Sequence, residues 1–304
     1  MGASACGEGS SGGKQSAVWV LVSSPWPAAW ALTPTRSLTG IVRALDGRVV
    51  LVTGAAGGIG AEVARQLVAG GARILLLDVL AEPLHLLADE LGELALSVPG
   101  DVTNLDSLEA AVAAGIERFG KLDAVLANAG IEALGPVASM DASLADRIVE
   151  VDLLGVWRTV RAALPALVAS QGYALLVSSL SATSAGPYNA PYNAAKAGVV
   201  ALAKTLRLEV ASSGVEVGVA YFSYIATDAA RRAVEDPIMA EVMGRMPAAM
   251  MRPIPVAKAA AAVVAGIARR SRRVVVPRSG IASVLFPEMA QRLTEVVLRP
   301  RHNR

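Results

Sequence analysis

At 304 residues the chain can form one large domain or two smaller ones, and 54% hydrophobic against 18% charged residues supplies ample core material. The single cysteine, Cys6, excludes an intramolecular disulfide, and His85 and His302 alone give no support to a Cys/His metal cluster, so no metal is expected and a reducing, cytoplasmic setting fits. The net charge of +2 conceals an imbalance, because residues 269–304 hold nine arginines and two glutamates, a net of +7 that leaves −5 on the rest.

Residues 1–16 are rich in Gly and Ser. Residues 17–32 form an apolar stretch with three tryptophans, broken by Ser23-Ser24-Pro25 and Pro27. The stretch is short and interrupted for a membrane span. Lys14 precedes it as in a signal peptide, but no clean small-residue cleavage site follows. Residues 1–46 therefore read as a flexible or atypical extension.

From Gly47 the pattern alternates. Strands are predicted at 48–53, 72–77, 94–98, 123–127, 173–178, 215–221 and 273–276. Helical periodicity falls at 59–69, 82–91, 105–119, 141–169 and 190–213. The strands are short and almost continuously apolar, as expected where helices cover both faces of a parallel sheet. The expected fold is a single α/β domain over 47–276, a doubly wound Rossmann-like sheet that binds ligands at the carboxyl ends of its strands. Residues 222–250 break the rhythm with prolines and methionines, where a substrate loop would fit. Residues 277–304 read as a solvated basic tail. Without a base-reading motif no nucleic-acid binding is expected, and the termini suggest at most weak peripheral membrane contact.

The first strand, Val49-Val50-Leu51-Val52, runs into Thr53-Gly54-Ala55-Ala56-Gly57-Gly58-Ile59-Gly60. Glycine permits a tight turn and close approach of backbone to a pyrophosphate, which a helix N-terminus favours electrostatically. The next strand ends at Asp78, whose carboxylate would accept hydrogen bonds from ribose hydroxyls and repel a 2′-phosphate. No Arg or Lys lies between Gly54 and Gly60, and Gly58 stands where a basic residue would help. NAD(H) is therefore expected over NADP(H), with a helix N-cap or loop acid as the bland reading of Asp78.

Further on, Tyr192 and Lys196 fall one helical turn apart on one face, with Ser179 upstream. An ammonium beside a phenol favours its ionisation, letting it exchange protons at working pH, while a serine hydroxyl steadies a substrate oxygen. An isolated YxxxK would more simply be a packing tyrosine and a surface lysine.

Together these features resemble the classical short-chain dehydrogenase/reductase family over about residues 47–276. Thr53–Gly60 matches its TGxxxGxG motif, Asp101-Val102 resembles its adenine-contacting pair, and Asn128-Ala129-Gly130 its NAG motif. Ser179, Tyr192 and Lys196 fall on its catalytic serine, tyrosine and lysine. The resemblance implies that Gly54, Ala56, Gly58, Ile59, Gly60, Asp78, Asp101, Val102, Asn128, Ala129, Gly130 and Thr227 hold NAD, with Tyr192 and Lys196 also contacting it. It further implies that Tyr192 is the acid/base, that Ser179 steadies the reacting oxygen, and that Lys196 lowers the tyrosine's pKa and binds the nicotinamide ribose.

Two departures stand out. The family's relay asparagine is replaced by Asp152, whose charge would pair with Lys196 and either raise the lysine's pKa or draw it away. The PGxxxT segment becomes Phe222-Ser223-Tyr224-Ile225-Ala226-Thr227, retaining only the threonine. Ile131, Glu132, Leu180, Pro187, Tyr188, Phe222 and Tyr224 are pocket candidates, mostly apolar, and imply a hydrophobic alcohol or ketone. The long helices at 141–169 and 190–213 resemble those through which the family forms homodimers and homotetramers. A 3-oxoacyl-thioester reductase and a dinucleotide-binding regulatory protein with little turnover are the competing readings.

Overall fold

The computed structural model describes residues 44–228 and 252–298 continuously, with 230, 231, 238, 240, 244 and 245 between them. Nearly all of the N-terminal extension, most of the 229–251 segment and the last six residues lie outside the described residues.

Seven strands carry the fold: β1 Val49–Thr53, β2 Arg73–Asp78, β3 Ala95–Pro99, β4 Ala124–Ala127, β5 Tyr173–Ser179, β6 Glu216–Phe222 and β7 Arg273–Val276. They form one sheet in the order β3-β2-β1-β4-β5-β6-β7. Every neighbouring pair is parallel. Each predicted strand is found, its ends within a residue or so of those expected.

Alternation of side chains explains why β1 is apolar throughout. Val50 and Val52 enter one core, with Ile74 and Leu76 of β2, beneath helices α1 (Gly58–Ala69) and α2 (Ala81–Leu91). Val49 and Leu51 enter the opposite core, with Leu75 and Leu77. That second face is covered by α3 (Leu105–Phe119), α5 (Val156–Ser170) and α6 (Ala190–Glu209). The sheet has two dry faces, so its ligands must enter from an edge or an end.

The chain leaves β1 toward β2 and β3, then returns to place β4 on the other side of β1. The carboxyl ends of β1 and β4 thus bound the crevice where the strand order reverses, the place for a ligand in such sheets.

The predicted 141–169 helix is α4 (Ala142–Val149) and α5, joined by a π-helical turn at Glu150–Gly155. Three further helices were not anticipated. Helix α7 (Val256–Arg269) joins the first core through Ala259, Ala260, Val263, Val264 and Ile267. Helices α8 (Ile281–Leu285) and α9 (Pro287–Leu298) occupy much of the segment that the arginine count marks as a tail.

Candidate active site

The glycine turn is built by backbone crowding. Gly54 has φ +66, and a Cβ there would lie 2.8 Å from Ala129 Cα; one at Gly60 would lie 2.1 Å from the Gly54 carbonyl oxygen. Asn128 locks the arrangement, its Nδ2 donating to the carbonyls of Thr53 at 3.0 Å and Gly54 at 3.2 Å. Thr53 Oγ1 in return accepts the amides of Asn128 at 3.0 Å and Ala129 at 3.1 Å. Asn128, Ala129 and Gly130 thereby clamp the end of β4 onto the end of β1.

Gly57 precedes α1 in an extended conformation, makes no side-chain cap, and has open space where a Cβ would stand. Uncapped first-turn amides facing open space suit a pyrophosphate. Ile59 packs against the first core, and Gly58, at φ +54, has Thr227 Cγ2 3.3 Å from its Cβ position. This corrects the sequence reading of Gly58. A side chain there would be strained and would meet Thr227, whereas Gly57 has both the backbone and the room for a basic residue. It also brings Thr227 against the glycine turn despite the lost Pro-Gly pair.

Asp78 Oδ2 accepts the Ala56 amide at 3.0 Å and Oδ1 accepts the Leu80 amide at 3.0 Å. The carboxylate therefore orients the turn, and its remaining lone pairs are available to hydroxyls. At the end of β3, Asp101 accepts the Thr103 amide at 2.9 Å and pairs with Arg147 at 3.2 Å. Burial pushes its carboxyl up, but Thr103 and Arg147 outweigh this and hold it below the usual range. Val102 is buried against Gly155 of the π turn.

Ser179 ends β5, and its hydroxyl donates to the Phe222 carbonyl at 3.3 Å while accepting the Ser181 amide at 3.2 Å. Ser178 Oγ donates to the Lys196 carbonyl at 2.8 Å, fastening α6 to the strand. Asn193 Nδ2 donates to the Gly186 carbonyl at 3.0 Å and ties down the loop before α6. Tyr192 and Lys196 share one face of α6, with Lys196 Nζ 5.5 Å from the tyrosine ring centroid.

The buried Lys196 ammonium lies 3.0 Å from Asp152 Oδ2 and also donates to the Val177 carbonyl at 3.3 Å. Asp152 Oδ1 accepts the Ile131 amide at 2.8 Å, while Oδ2 contacts the lysine without completing a well-directed hydrogen bond. Burial raises the Asp152 carboxyl above its ordinary value, and the attraction of Lys196 opposes this without cancelling it. A Cβ on Gly130 would stand 2.9 Å from Asp152 Oδ2 and 3.4 Å from Lys196 Nζ, so the NAG segment lies directly on this pair.

The expected lowering of the tyrosine's pKa is not what the structure holds. Burial, then the charges of Glu132 and Asp152, push the Tyr192 hydroxyl above the ordinary phenol range, with Ser179 opposing them. Withdrawal of the phenol from water is the leading cause; the two carboxylates add to it, and the lysine's charge is matched at 3.0 Å by Asp152.

The pocket candidates divide. Ile131, Glu132 and Pro187 are exposed, and Tyr188 and Tyr224 half-buried. Leu180 packs against the second core. Phe222, however, is buried in the first core, and only its carbonyl oxygen faces Ser179. Asn189, which sequence reasoning did not single out, donates from Nδ2 to Glu132 Oε1. Their separation of 57 positions hides this pair from any local pattern. No group of metal-binding side chains occurs among the described residues.

A sheet with its switch point at β1/β4, a glycine turn clamped by an asparagine, and a Ser–Tyr–Lys set at the neighbouring strand end define a dinucleotide-binding oxidoreductase architecture. Residues 48–238 match the short chain dehydrogenase family model, and the chain belongs to that family. It is 35% identical over 188 residues to Oxidoreductase UcpA of Salmonella typhimurium, covering 60% of this chain and 71% of that protein. It is 36% identical over 179 residues to trans-4-hydroxycyclohexanecarboxylate dehydrogenase of Sinomonas cyclohexanicum, covering 56% of this chain and 69% of that protein. Among solved structures, a short chain dehydrogenase/reductase of Burkholderia phymatum in complex with NAD shares the fold at TM-score 0.72 and 24% identity, covering 82% of this chain and 96% of that one. A 3-ketoacyl-(acyl-carrier-protein) reductase of Brucella melitensis complexed with NADH aligns at TM-score 0.69 and 27% identity, over 77% and 99% of the two chains.

Proposed function

We propose that the protein is an NAD-dependent oxidoreductase that interconverts a hydrophobic secondary alcohol and its ketone, with Tyr192 as the acid/base. The observation carrying this reading is the contact of Gly130, on the cofactor side, with the buried Lys196–Asp152 pair one turn from Tyr192. Gly54, Ala56, Gly57, Gly58 and Gly60 would hold the diphosphate, Asp78 the adenosine ribose, and Thr227 the nicotinamide end. The bound nicotinamide supplies the hydride chemistry.

In alcohol oxidation, Tyr192 takes the hydroxyl proton as the carbinol hydrogen departs. In ketone reduction it returns that proton to the developing alkoxide. Ser179, turning its one proton from the Phe222 carbonyl, donates to the same oxygen and fixes its distance from the phenol. Lys196 binds ribose hydroxyls from its anchored position on α6. The half-buried, largely apolar surroundings favour a hydrophobic substrate.

The 3-oxoacyl-thioester alternative gains one support, since the Brucella reductase was solved with NADH and an NAD-type site does not count against that chemistry. We also assign the exposed groove between α5 and α6 to pairing with a second copy of the chain.

The test is a fluorescence titration with NADH and NADPH, followed by stopped-flow absorbance across alcohols and ketones. Tight NADH binding and a hydride-transfer signal that Tyr192→Phe lowers by about 10²–10⁴-fold is the expected result. Failure to bind either nucleotide would sink the cofactor assignment. Binding without any turnover would move the weight to a non-catalytic binder.

A further inference from the structure

The cleft around Tyr192 is not uniformly apolar. Glu132 extends from the loop after β4 and is exposed, yet its carboxylate is held by Asn189, the residue capping α6 three positions before Tyr192. The same loop is fastened next door, where the Gly135 amide donates to the Tyr188 carbonyl at 2.8 Å. Tyr188 takes φ +65, a left-handed conformation that bulky side chains avoid and that persists only where surrounding contacts impose it. The strained residue and the Gly135 hydrogen bond thus set Asn189 toward Glu132.

Two polar capacities remain. Asn189 Oδ1 is buried and has no hydrogen-bond partner among the described residues. The Glu132 carboxylate keeps lone pairs facing solvent in the cleft mouth. Because Asn189 stands three positions before Tyr192 at the start of α6, the Glu132 carboxylate it holds lies at the Tyr192 end of the cleft, and its charge acts on the Tyr192 hydroxyl. A purely apolar substrate would strip water from the Glu132 carboxylate and leave its outer lone pairs unpaired, which is costly.

We propose that Glu132 and Asn189 form a subsite for a second hydroxyl on the substrate, making the preferred substrate a diol, or the matching hydroxyketone, rather than a plain alcohol. The inference rests on the proposed function and narrows its substrate class. A hydroxyl suits the site because it can donate to an ionised Glu132, which Asn189 holds in place, and can also accept from a protonated one. Both states matter, since the residue is exposed but its carboxylate end is partly withdrawn from water, which pushes it up; the Asn189 hydrogen bond opposes this, and Asp152 adds to the rise. A substrate carboxylate would be repelled by Glu132 and Asp152 together. In the reaction, one carbinol carbon passes its hydride to NAD and its hydroxyl proton to Tyr192. The second hydroxyl keeps its bonds throughout.

The test compares 1-indanol with cis- and trans-1,2-indanediol, each enantiomer separately, as substrates with NAD. The wild-type protein is expected to prefer one diol by about tenfold or more in kcat/KM. Glu132→Leu should bring that ratio near unity. Glu132→Gln, which is isosteric and still hydrogen-bonds, should retain an intermediate preference, and NADH titration of each variant verifies the cofactor site. Equal or better use of 1-indanol by the wild type overturns the diol subsite and leaves the proposed function standing. A diol preference that survives Glu132→Leu overturns it as well. Turnover of no indanol or indanediol by NADH-binding protein counts against both readings.

Discussion

The Asp152 carboxylate lies 3.0 Å from the Lys196 ammonium, and both groups are buried. Asp152 stands where the family usually has a neutral asparagine, and its charge bears on the protonation of Tyr192. With Tyr192 as the proposed acid/base, alcohol oxidation requires the phenolate, so its rate should rise with pH as Tyr192 ionises. Ketone reduction requires the phenol and falls over the same range. Because burial, Glu132 and Asp152 all raise the Tyr192 hydroxyl, both limbs are displaced toward alkaline pH. Asp152→Asn removes one of the two carboxylates and should move both limbs to lower pH in kcat/KM profiles. An unmoved limb would show that Asp152 has no electrostatic hold on the tyrosine. Asp152→Ala strands a buried ammonium and should cost about 3–5 kcal/mol in denaturant unfolding.

Cofactor choice has two handles, Asp78 and Gly57. Asp78→Ser removes the carboxylate at the ribose position and should weaken NADH binding by about tenfold or more. It also deletes the acceptor for the Ala56 amide, so part of that loss reflects a looser turn. Adding Gly57→Arg places a guanidinium where the structure leaves room, and the double variant should prefer NADPH. Gly58→Arg should not substitute for it, since position 58 has φ +54 and abuts Thr227. Paired titrations with NADH and NADPH read the switch, and a double variant still favouring NADH would remove Asp78 from the recognition scheme.

How far the sequence disclosed all this depended on the range of the contacts involved. The strands were legible because a doubly covered sheet demands runs such as Val49–Thr53 that are apolar on both faces. The glycine turn and the Tyr192–Lys196 pair are local patterns and were legible too. Helix α7 was not: Ala259, Ala260, Val263, Val264 and Ile267 recur at helical spacing, but the helix starts after Pro255 with no side-chain cap and no acidic residue in its first turn to mark it. In α9 the arginine density of the C-terminal region drew attention from Met289, Leu293 and Val296, which recur at helical spacing. The reversed shift at Tyr192 and the Glu132–Asn189 pair depend on charges brought together from separate elements.

The glycines of the turn should separate by substitution. Gly60→Ala places a methyl 2.1 Å from the Gly54 carbonyl oxygen, a backbone atom that cannot rotate away. It should cost about 3 kcal/mol or more in stability and abolish nucleotide binding. Gly57→Ala meets nothing in the protein and should change stability by no more than about 1 kcal/mol. Thermal unfolding of both variants is the check. Equal destabilisation would mean that the turn is not packed as described.

The groove between α5 and α6 bears on assembly. It is lined by Trp157, Arg161, Leu164, Val168, Leu202 and Glu209, among others, and Trp157 remains 42% exposed although its ring stacks against the Arg161 guanidinium. A tryptophan open to water on an apolar helix pair loses solvation free energy that a partner surface would recover. The groove also carries one charge of each sign, Arg161 and Glu209. A twofold axis would set each against its opposite on the second copy, the self-complementarity that an isologous dimer requires. Trp157→Asp puts an unpaired carboxylate at the centre of that contact and should convert the oligomer to a smaller species in light scattering coupled to gel filtration. NADH binding should persist in the dissociated chain, because the groove uses Leu202 to Glu209 at the far end of α6, about one and a half turns or more beyond Lys196. A wild-type chain that runs as a monomer, or a variant of unchanged mass, would remove this groove as the interface.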